Sequence, residues 1–428
     1  MLVLALTVFF VFLVGAGVPI SFSMGFSAAL TLLLEGRVPL ALVVQRLFSG
    51  VDSFPIMAVP FFIMAGFFMD AGGISTRLVA LARTMVGHIR GSLAMVVVIA
   101  EVFFSGISGS TTADISAIGS TLIPAMTRDH YKPEQAAAIV AAASSMGVLI
   151  PPCIMMVVLG SLVNISVGKL FFAGFLPGFV MAIGLLILIY WQARRGILPA
   201  AATRRSDVVT FLRAIKDSLL AFLMPVIIFG GILWGIATPT EIAAVATLYS
   251  FIVTVFVYKE LKWKEILAVM EKTILITGAA LFLVGLATTF SWILSSQQVP
   301  GKLANLILSI SSTPSVFTVL SMVLFMLAGC FLEGLPAIIV LIPIFLPAAN
   351  LLHIDTLHYS IVAIGAVGIG GFLPPIGIGL LLSAGIAGKS VQEVSRPFMP
   401  YLYVLMACML VITLVPWITL VVPRIFMD

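Results

Sequence analysis

Along most of this chain the polar residues come in short clusters separated by long apolar stretches, and the stretches are of two kinds. Eight are plain runs, near residues 1–18, 20–35, 53–71, 168–191, 219–237, 240–257, 273–294 and 399–422, close to the roughly 20 apolar residues that a helix needs to cross a bilayer. Four others, 92–127, 134–164, 314–350 and 357–388, are longer and carry Gly or Pro near the middle. That pattern predicts a broken crossing helix or a re-entrant hairpin rather than a plain span.

The punctuated stretches correspond in pairs. "SGISGSTTADISAIGSTLIPAM" followed by "GVLIPP" registers without a gap on "AGCFLEGLPAIIVLIPIFLPAA" followed by "GFLPP", at a constant offset of 223 residues. Gly106 falls on Gly329, Pro124 on Pro347, Gly147 on Gly370, and Pro151 and Pro152 on Pro374 and Pro375. Only nine of the 49 pairs between 106 and 154 are identical, so the shared helix breakers carry the signal. Matching interruptions in two halves of a membrane protein point to a transporter binding site.

Composition agrees. The 428 residues are 61% hydrophobic and 9% charged, with a mean hydropathy of +1.25, whereas soluble domains carry about 25% charged residues. The run from residue 1 to 18 lacks the basic leading region of a signal peptide and is read as a first membrane helix. Cys153, Cys330 and Cys408 sit at unrelated spacings in apolar segments, as small buried hydrophobes do. The histidines, His88, His130, His353 and His358, stand near predicted helix ends.

Charge chooses between hairpin and crossing. Lys and Arg gather at 77–90, 128–132, 194–216, 259–272 and 389–396. With 92–127 as a hairpin, these clusters share one face and hold 17 of the 22 basic residues, leaving Arg37, Arg46, Lys169, Lys302 and Arg424 opposite. The positive-inside rule makes the crowded face cytoplasmic. A full crossing at 92–127 would separate the first two clusters.

The same offset organises the whole chain into two halves, 1–191 and 219–428, joined by a basic cytoplasmic linker, 192–218. Each half has three spans, an interfacial arm, a hairpin, a broken helix and a last span. In the first half these include hairpin 92–127, broken helix 134–164 and span 168–191; in the second, hairpin 314–350, broken helix 357–388 and span 399–422. Five crossings per half invert the second half, so its hairpin enters from the periplasmic side and both termini lie outside. The fold class is an all-α polytopic membrane protein with an inverted-topology repeat, two re-entrant hairpins and two broken helices.

Backbone groups freed by a break cannot face lipid, so hairpin tip and break need each other. Unwound carbonyls and half-helix C-termini suit a desolvated Na⁺, and half-helix N-termini suit a carboxylate. Two cation sites flanking one anion site is the natural product. Ser105, Ser108, Ser110, Thr111 and Thr112 crowd the first tip, more hydroxyls than helix packing requires. Glu101, Asp114 and Glu333 are ionisable residues within apolar segments and are functional candidates by default. Asp114 suits either a helix cap or a ligand. Glu333 aligns with Ser110, making the second tip acidic; Asp52 and Glu241 fall near span ends.

Five ordered motifs, "SFPIMAVPFFIMAGFFMDAGG", "SGISGSTTADISAIGSTLIPAM", "GVLIPP", "GGILWGIATPTEIAAVATLY" and "GFLPPIGIGL", together resemble the large membrane (M) subunit of tripartite ATP-independent periplasmic (TRAP) transporters over nearly the whole chain. The resemblance implies an elevator-type fold in the bacterial inner membrane and uptake coupled to two or more Na⁺ ions. It implies a small four-helix Q subunit as partner and a periplasmic binding protein delivering a carboxylate of the C4-dicarboxylate or sialic-acid class. Carried onto this sequence, the first Na⁺ site falls at Ser105, Ser108, Gly147 and Pro151, and the second at Gly329, Glu333, Gly370 and Pro374. Substrate falls between them, near Ser110, Thr111, Pro152 and Pro375. Two departures stand out: Cys153 follows the double proline where a small hydroxyl residue is expected, and His130 precedes Tyr131 where Gly is usual.

The rival within transport is a stand-alone elevator symporter or ion antiporter. An intramembrane hydrolase would need a nucleophile and base at membrane depth, and Ser108 with Asp114 has no neighbouring His or Lys in sequence. A passive channel has no need of two inverted copies of one broken site. No phosphate-binding glycine loop suggests direct ATP use, and the chain is not expected to be an enzyme.

Overall fold

The computed structural model describes residues 2–199, 207–299, 301–302, 313–332 and 334–427, and every regular element among them is helical. In hydrocarbon the backbone must satisfy its own polar groups, which a helix does within one segment. Among the described residues, seven helices are long and apolar enough to cross a membrane, and the pair Ala41–Val51 and Pro55–Ala71, bent by 68°, makes an eighth if it is one span. The chain is a multi-pass helical membrane protein.

Boundaries follow local chemistry. Gly36, at φ 65, closes the helix Ile20–Glu35. Thr238 with Glu241, and Ser390 with Glu393, form capping boxes that open Pro239–Ile252 and Val391–Leu414. In each box the hydroxyl and the carboxylate satisfy backbone donors that a helix start leaves free.

Three expected segments are redrawn. The first span shortens to Leu2–Gly15, 14 residues, because Gly17, at φ +81, and Pro19 interrupt the apolar sequence before Ile20–Glu35. The 192–218 linker is shorter than expected: Val167–Arg194 runs into it and Val208–Leu233 begins within it, and residues 200–206 fall outside the described residues. The span expected at 399–422 is two helices, Val391–Leu414 and Trp417–Phe426. Val415 leaves helical geometry at φ −119, ψ 82, as the residue before a proline tends to do.

Each of the four punctuated stretches is a pair of helices parted by a short break. Ser92–Ser108 packs against Thr111–Arg128, and Pro314–Leu332 against Gly334–Leu351. The interrupted helices are Pro133–Gly147 with Ile154–Val163, and Thr356–Gly370 with Ile378–Ile386. Their first segments form the centre: every residue from Ala136 to Gly147 and from His358 to Gly370 is buried. Runs of Ala, Ser and Gly allow this, since small residues let helix backbones approach closely.

The halves interlock reciprocally. Ile154–Val163 packs on Gly334–Leu351, while Ile378–Ile386 packs on Thr111–Arg128 and Pro133–Gly147. At the crossing of the central helices, Val148 covers Gly368, where an added Cβ would come within 2.3 Å of Val148 Cγ2.

Of the two arms, 75–91 and 299–312, the first is helical over Ile74–Val86 and buries Ile74, Leu78 and Leu81; most of the second lies outside the described residues. The first is fastened by Arg77, which donates to Glu260 over 2.5 Å and to the carbonyls of Gly72 and Gly73 over 2.9 and 3.1 Å. Its guanidinium lies 3.8 Å from the centre of the Tyr258 ring.

Candidate functional site

The first hairpin turns at Gly109, whose φ of +65 is the left-handed geometry glycine adopts without strain. The turn docks on the first break. Ile154 N–H donates to the Gly109 carbonyl over 3.4 Å, and a Cβ on Gly109 would lie 2.9 Å from the Pro152 carbonyl oxygen. Gly106 faces the Pro151 carbonyl at 3.6 Å by the same construction. The Pro151–Pro152 and Pro374–Pro375 bonds are both cis.

Asp114 ties the hairpin's arms together. Its carboxylate accepts from Ser105 Oγ over 2.7 Å and also from Ser108 Oγ. No described side chain caps the Thr111–Arg128 helix at Ser110, so Asp114 does not serve as its cap. The carboxylate reaches back to the preceding arm rather than to its own helix start.

Gly147 completes the cluster. A Cβ there would stand 2.5 Å from Ser105 Oγ and 3.0 Å from Asp114 Oδ2, so the broken helix ends against the hydroxyl–carboxylate group. On the other side, a Cβ on Gly66 would come within 3.0 Å of the Ser108 carbonyl oxygen. Ser105, Ser108, Gly147 and Pro151 are therefore brought together. Hydroxyl, carboxylate and carbonyl oxygens are hard donors that suit an alkali cation better than a soft metal.

The second tip and break also meet, through backbone contact. A Cβ on Gly370 would lie 2.2 Å from the Met326 carbonyl oxygen and 3.0 Å from Gly329 Cα, and one on Gly329 would lie 2.5 Å from the Val367 carbonyl oxygen. Cys330 Sγ lies 3.5 Å from the Leu373 carbonyl oxygen. Glu333 falls outside the described residues; Pro374 is half-buried beside the break.

The candidate substrate residues divide. Ser110 and Thr111 are half-buried at the first tip, with Ser110 Oγ 3.1 Å from Thr112 Oγ1. Pro152 is buried beneath Gly109, whereas Pro375 is exposed at the second break. Met155, just beyond the first break, spans toward the second tip, its Cε 2.7 Å from where a Gly334 Cβ would stand. Neither Met155 nor Val148 stood out in the sequence, because an apolar residue in an apolar run carries no local mark. A cavity of ≈ 290 Å³ bounded by Lys169, Asp355 and Arg424 contains none of the candidate site residues.

Both departures from the family motif acquire physical reasons. Cys153 is the N-cap of Ile154–Val163, in extended conformation and with no side-chain cap bond, a position where Ser or Thr would satisfy a free N–H. His130 sits at φ 66, the region where glycine is the least strained choice.

An interrupted-helix membrane fold with tip and break docked in each half defines a class of helical transport proteins. A crystal structure of the YdaH transporter of Alcanivorax borkumensis is similar in fold, with a TM-score of 0.68 over 90% of each chain at 17% identity. The chain belongs to the family of the DctM component of tripartite ATP-independent periplasmic transporters, which matches residues 6–418. It is 36% identical over 402 residues to the C4-dicarboxylate TRAP transporter large permease protein DctM of Pseudomonas aeruginosa, covering 94% of each chain. It is 34% identical over 415 residues to the sialic acid TRAP transporter large permease protein SiaM of Vibrio cholerae, covering 96% of each. To the isethionate TRAP transporter permease protein DctMQ of Oleidesulfovibrio alaskensis it is 37% identical over 409 residues, 95% of this chain but 64% of that protein's length. These relatives are transporter subunits, not enzymes.

Proposed function

We propose that this chain is the translocation subunit of a Na⁺-coupled importer for a carboxylate solute of the C4-dicarboxylate or sialic-acid class. The observation that carries the reading is the docked first tip, where Ser105, Ser108 and Asp114 converge on Gly147. One carboxylate, two hydroxyls and nearby carbonyls offer a single negative charge and hard oxygens to a monovalent cation. Because both hydroxyls donate to Asp114, their lone pairs stay free to meet the ion. The second cation position is at Gly329, Glu333, Gly370 and Pro374. Substrate lies between, at Ser110, Thr111, Pro152 and Pro375.

The architecture behind this function is an inverted repeat of residues 1–191 and 219–428 about a cytoplasmic linker, with both termini periplasmic. The reciprocal packing of each post-break helix on the other half supports it. The hairpins and broken helices move as an elevator against the remaining spans. Its partners are a small four-helix Q subunit and a periplasmic binding protein. The name DctMQ of a relative 37% identical to this chain, of whose length the chain spans 64%, favours a Q partner.

The test is partner-dependent uptake in proteoliposomes. The three components together are expected to accumulate a C4-dicarboxylate or sialic acid under an inward Na⁺ gradient, with omission of either partner abolishing uptake. Full uptake by this chain alone would favour a stand-alone symporter or antiporter instead.

A further inference from the structure

Glu101 stands four residues before Ser105 and seven before Ser108 on the helix Ser92–Ser108, a spacing that aligns all three along one face. It is fully buried, and neither of its carboxylate oxygens has a hydrogen-bond partner. Two groups face it. The Ser144 hydroxyl approaches without closing a hydrogen bond, is itself buried and has no partner, and the Asp114 carboxylate lies beyond.

The register explains the encounter. Ser144 precedes Gly147 by three residues, as Glu101 precedes Ser105 by four, and Gly147 abuts Ser105. Glu101 and Ser144 therefore sit about one helical turn, roughly 5 Å, further from the tip than the Ser105–Gly147 contact.

A carboxyl group kept for packing alone would be paired, because buried polar groups almost always have partners and an unpaired buried charge is strongly destabilising. Glu101 instead offers two unused oxygens beside an unused hydroxyl, close to the Asp114 carboxylate of the neighbouring helix. A cation bound beside it would supply the missing partner.

We propose that Glu101 and Ser144 form a further Na⁺ position, contiguous with the Ser105–Ser108–Asp114 cluster and one turn away from it. The donors are hard oxygens carrying one negative charge, matched to a monovalent cation. The position gives the first hairpin two cation stations on one helix face. It rests on the reading of the tip as a Na⁺ site.

Glu101→Gln is the decisive variant, because an amide keeps the shape of a protonated acid and removes the charge. Two readouts apply: the NaCl concentration that half-saturates thermal stabilisation of the purified protein, at ionic strength fixed with choline chloride, and the Na⁺-to-substrate ratio from reversal potentials in proteoliposomes with both partners. Glu101→Gln is expected to raise the half-saturating concentration about tenfold or more and to lower the ratio by one ion. Ser144→Ala should raise that concentration about two- to fivefold, and it carries the same test if Glu101→Gln fails to accumulate. Wild-type values in both readouts for Glu101→Gln would mean that the group holds a permanent proton, and would overturn the proposal. A wild-type protein stabilised equally by choline and Na⁺ would overturn the reading of the tip as well. Sensitivity to Asp114→Asn without sensitivity to Glu101→Gln would overturn this inference alone.

Discussion

Ser105 donates its hydroxyl to Asp114 across 2.7 Å, from one arm of the first hairpin to the other. The bond sets a carboxylate against the C-terminal end of a broken helix, where its charge adds to the partial negative charge of the free carbonyls and favours a cation. Asp114→Asn keeps the volume but removes the charge, and is expected to raise the Na⁺ concentration for half-maximal uptake about tenfold or more, as loss of a charged partner does. Ser105→Ala or Ser108→Ala removes one hydroxyl and costs about 0.5–1.5 kcal/mol, roughly a two- to tenfold shift. Uptake against Na⁺ concentration, with size-exclusion profiles to check folding, measures both.

The central glycines divide by what a side chain would strike. At Gly147 the nearest atoms are the Ser105 hydroxyl and the Asp114 carboxylate, at 2.5 and 3.0 Å from an added Cβ. Gly147→Ala should therefore leave expression intact and weaken Na⁺ dependence, with Gly147→Val worse. At Gly370 the nearest atoms are the Met326 carbonyl oxygen and Gly329 Cα, at 2.2 and 3.0 Å, and backbone cannot step aside. Gly370→Ala is expected to cost about 1–3 kcal/mol, the usual penalty for overpacking, seen as a lower melting temperature. Gly278→Ala, with nothing within 4 Å, should be neutral or stabilising by up to about 1 kcal/mol.

Helix breakers made much of this legible in the sequence. Gly147, Gly370 and the double prolines fall at matching places in an apolar background, and that registration points to breaks where a lone glycine would not. Side-chain partnership is not written that way. The carboxylate of Asp114 turns back to Ser105 and Ser108 only because the tip folds over the break, and a residue in a first helical turn looks the same whether it caps or clasps. Contacts between the halves, such as Val148 on Gly368 and Met155 on Gly334, depend on tertiary crossing and leave no periodic trace. The split at Val415–Pro416 was visible as a proline, yet a proline in an apolar run is as compatible with a kinked span as with two helices.

The Arg77 clasp joins the first arm to the segment around Tyr258 and Glu260. Its ion pair is partly exposed, so Glu260→Gln is expected to cost under about 1 kcal/mol. Arg77→Ala also loses two carbonyl hydrogen bonds and the contact with the Tyr258 ring, and should cost about 1–3 kcal/mol. Thermal melting of the two variants side by side tests that order.

The proposed inversion fixes sidedness. With Cys153, Cys330 and Cys408 replaced, a single cysteine at the exposed Lys216 should react with a membrane-impermeant maleimide only from the cytoplasmic face. One at the exposed Lys302 should react only from the periplasmic face. Labelling of both from one side would refute the topology.

Uptake under imposed ion gradients tests the central claim most directly. Proteoliposomes holding this chain with its two partner proteins are expected to accumulate substrate when the outward-facing buffer contains Na⁺ and the lumen K⁺, and to stop when choline replaces the Na⁺. The Asp114→Asn protein should recover uptake only at about tenfold higher Na⁺ or beyond. Equal accumulation in Na⁺-free potassium buffer under a proton gradient, unchanged by Asp114→Asn, would contradict Na⁺ coupling through the first hairpin tip.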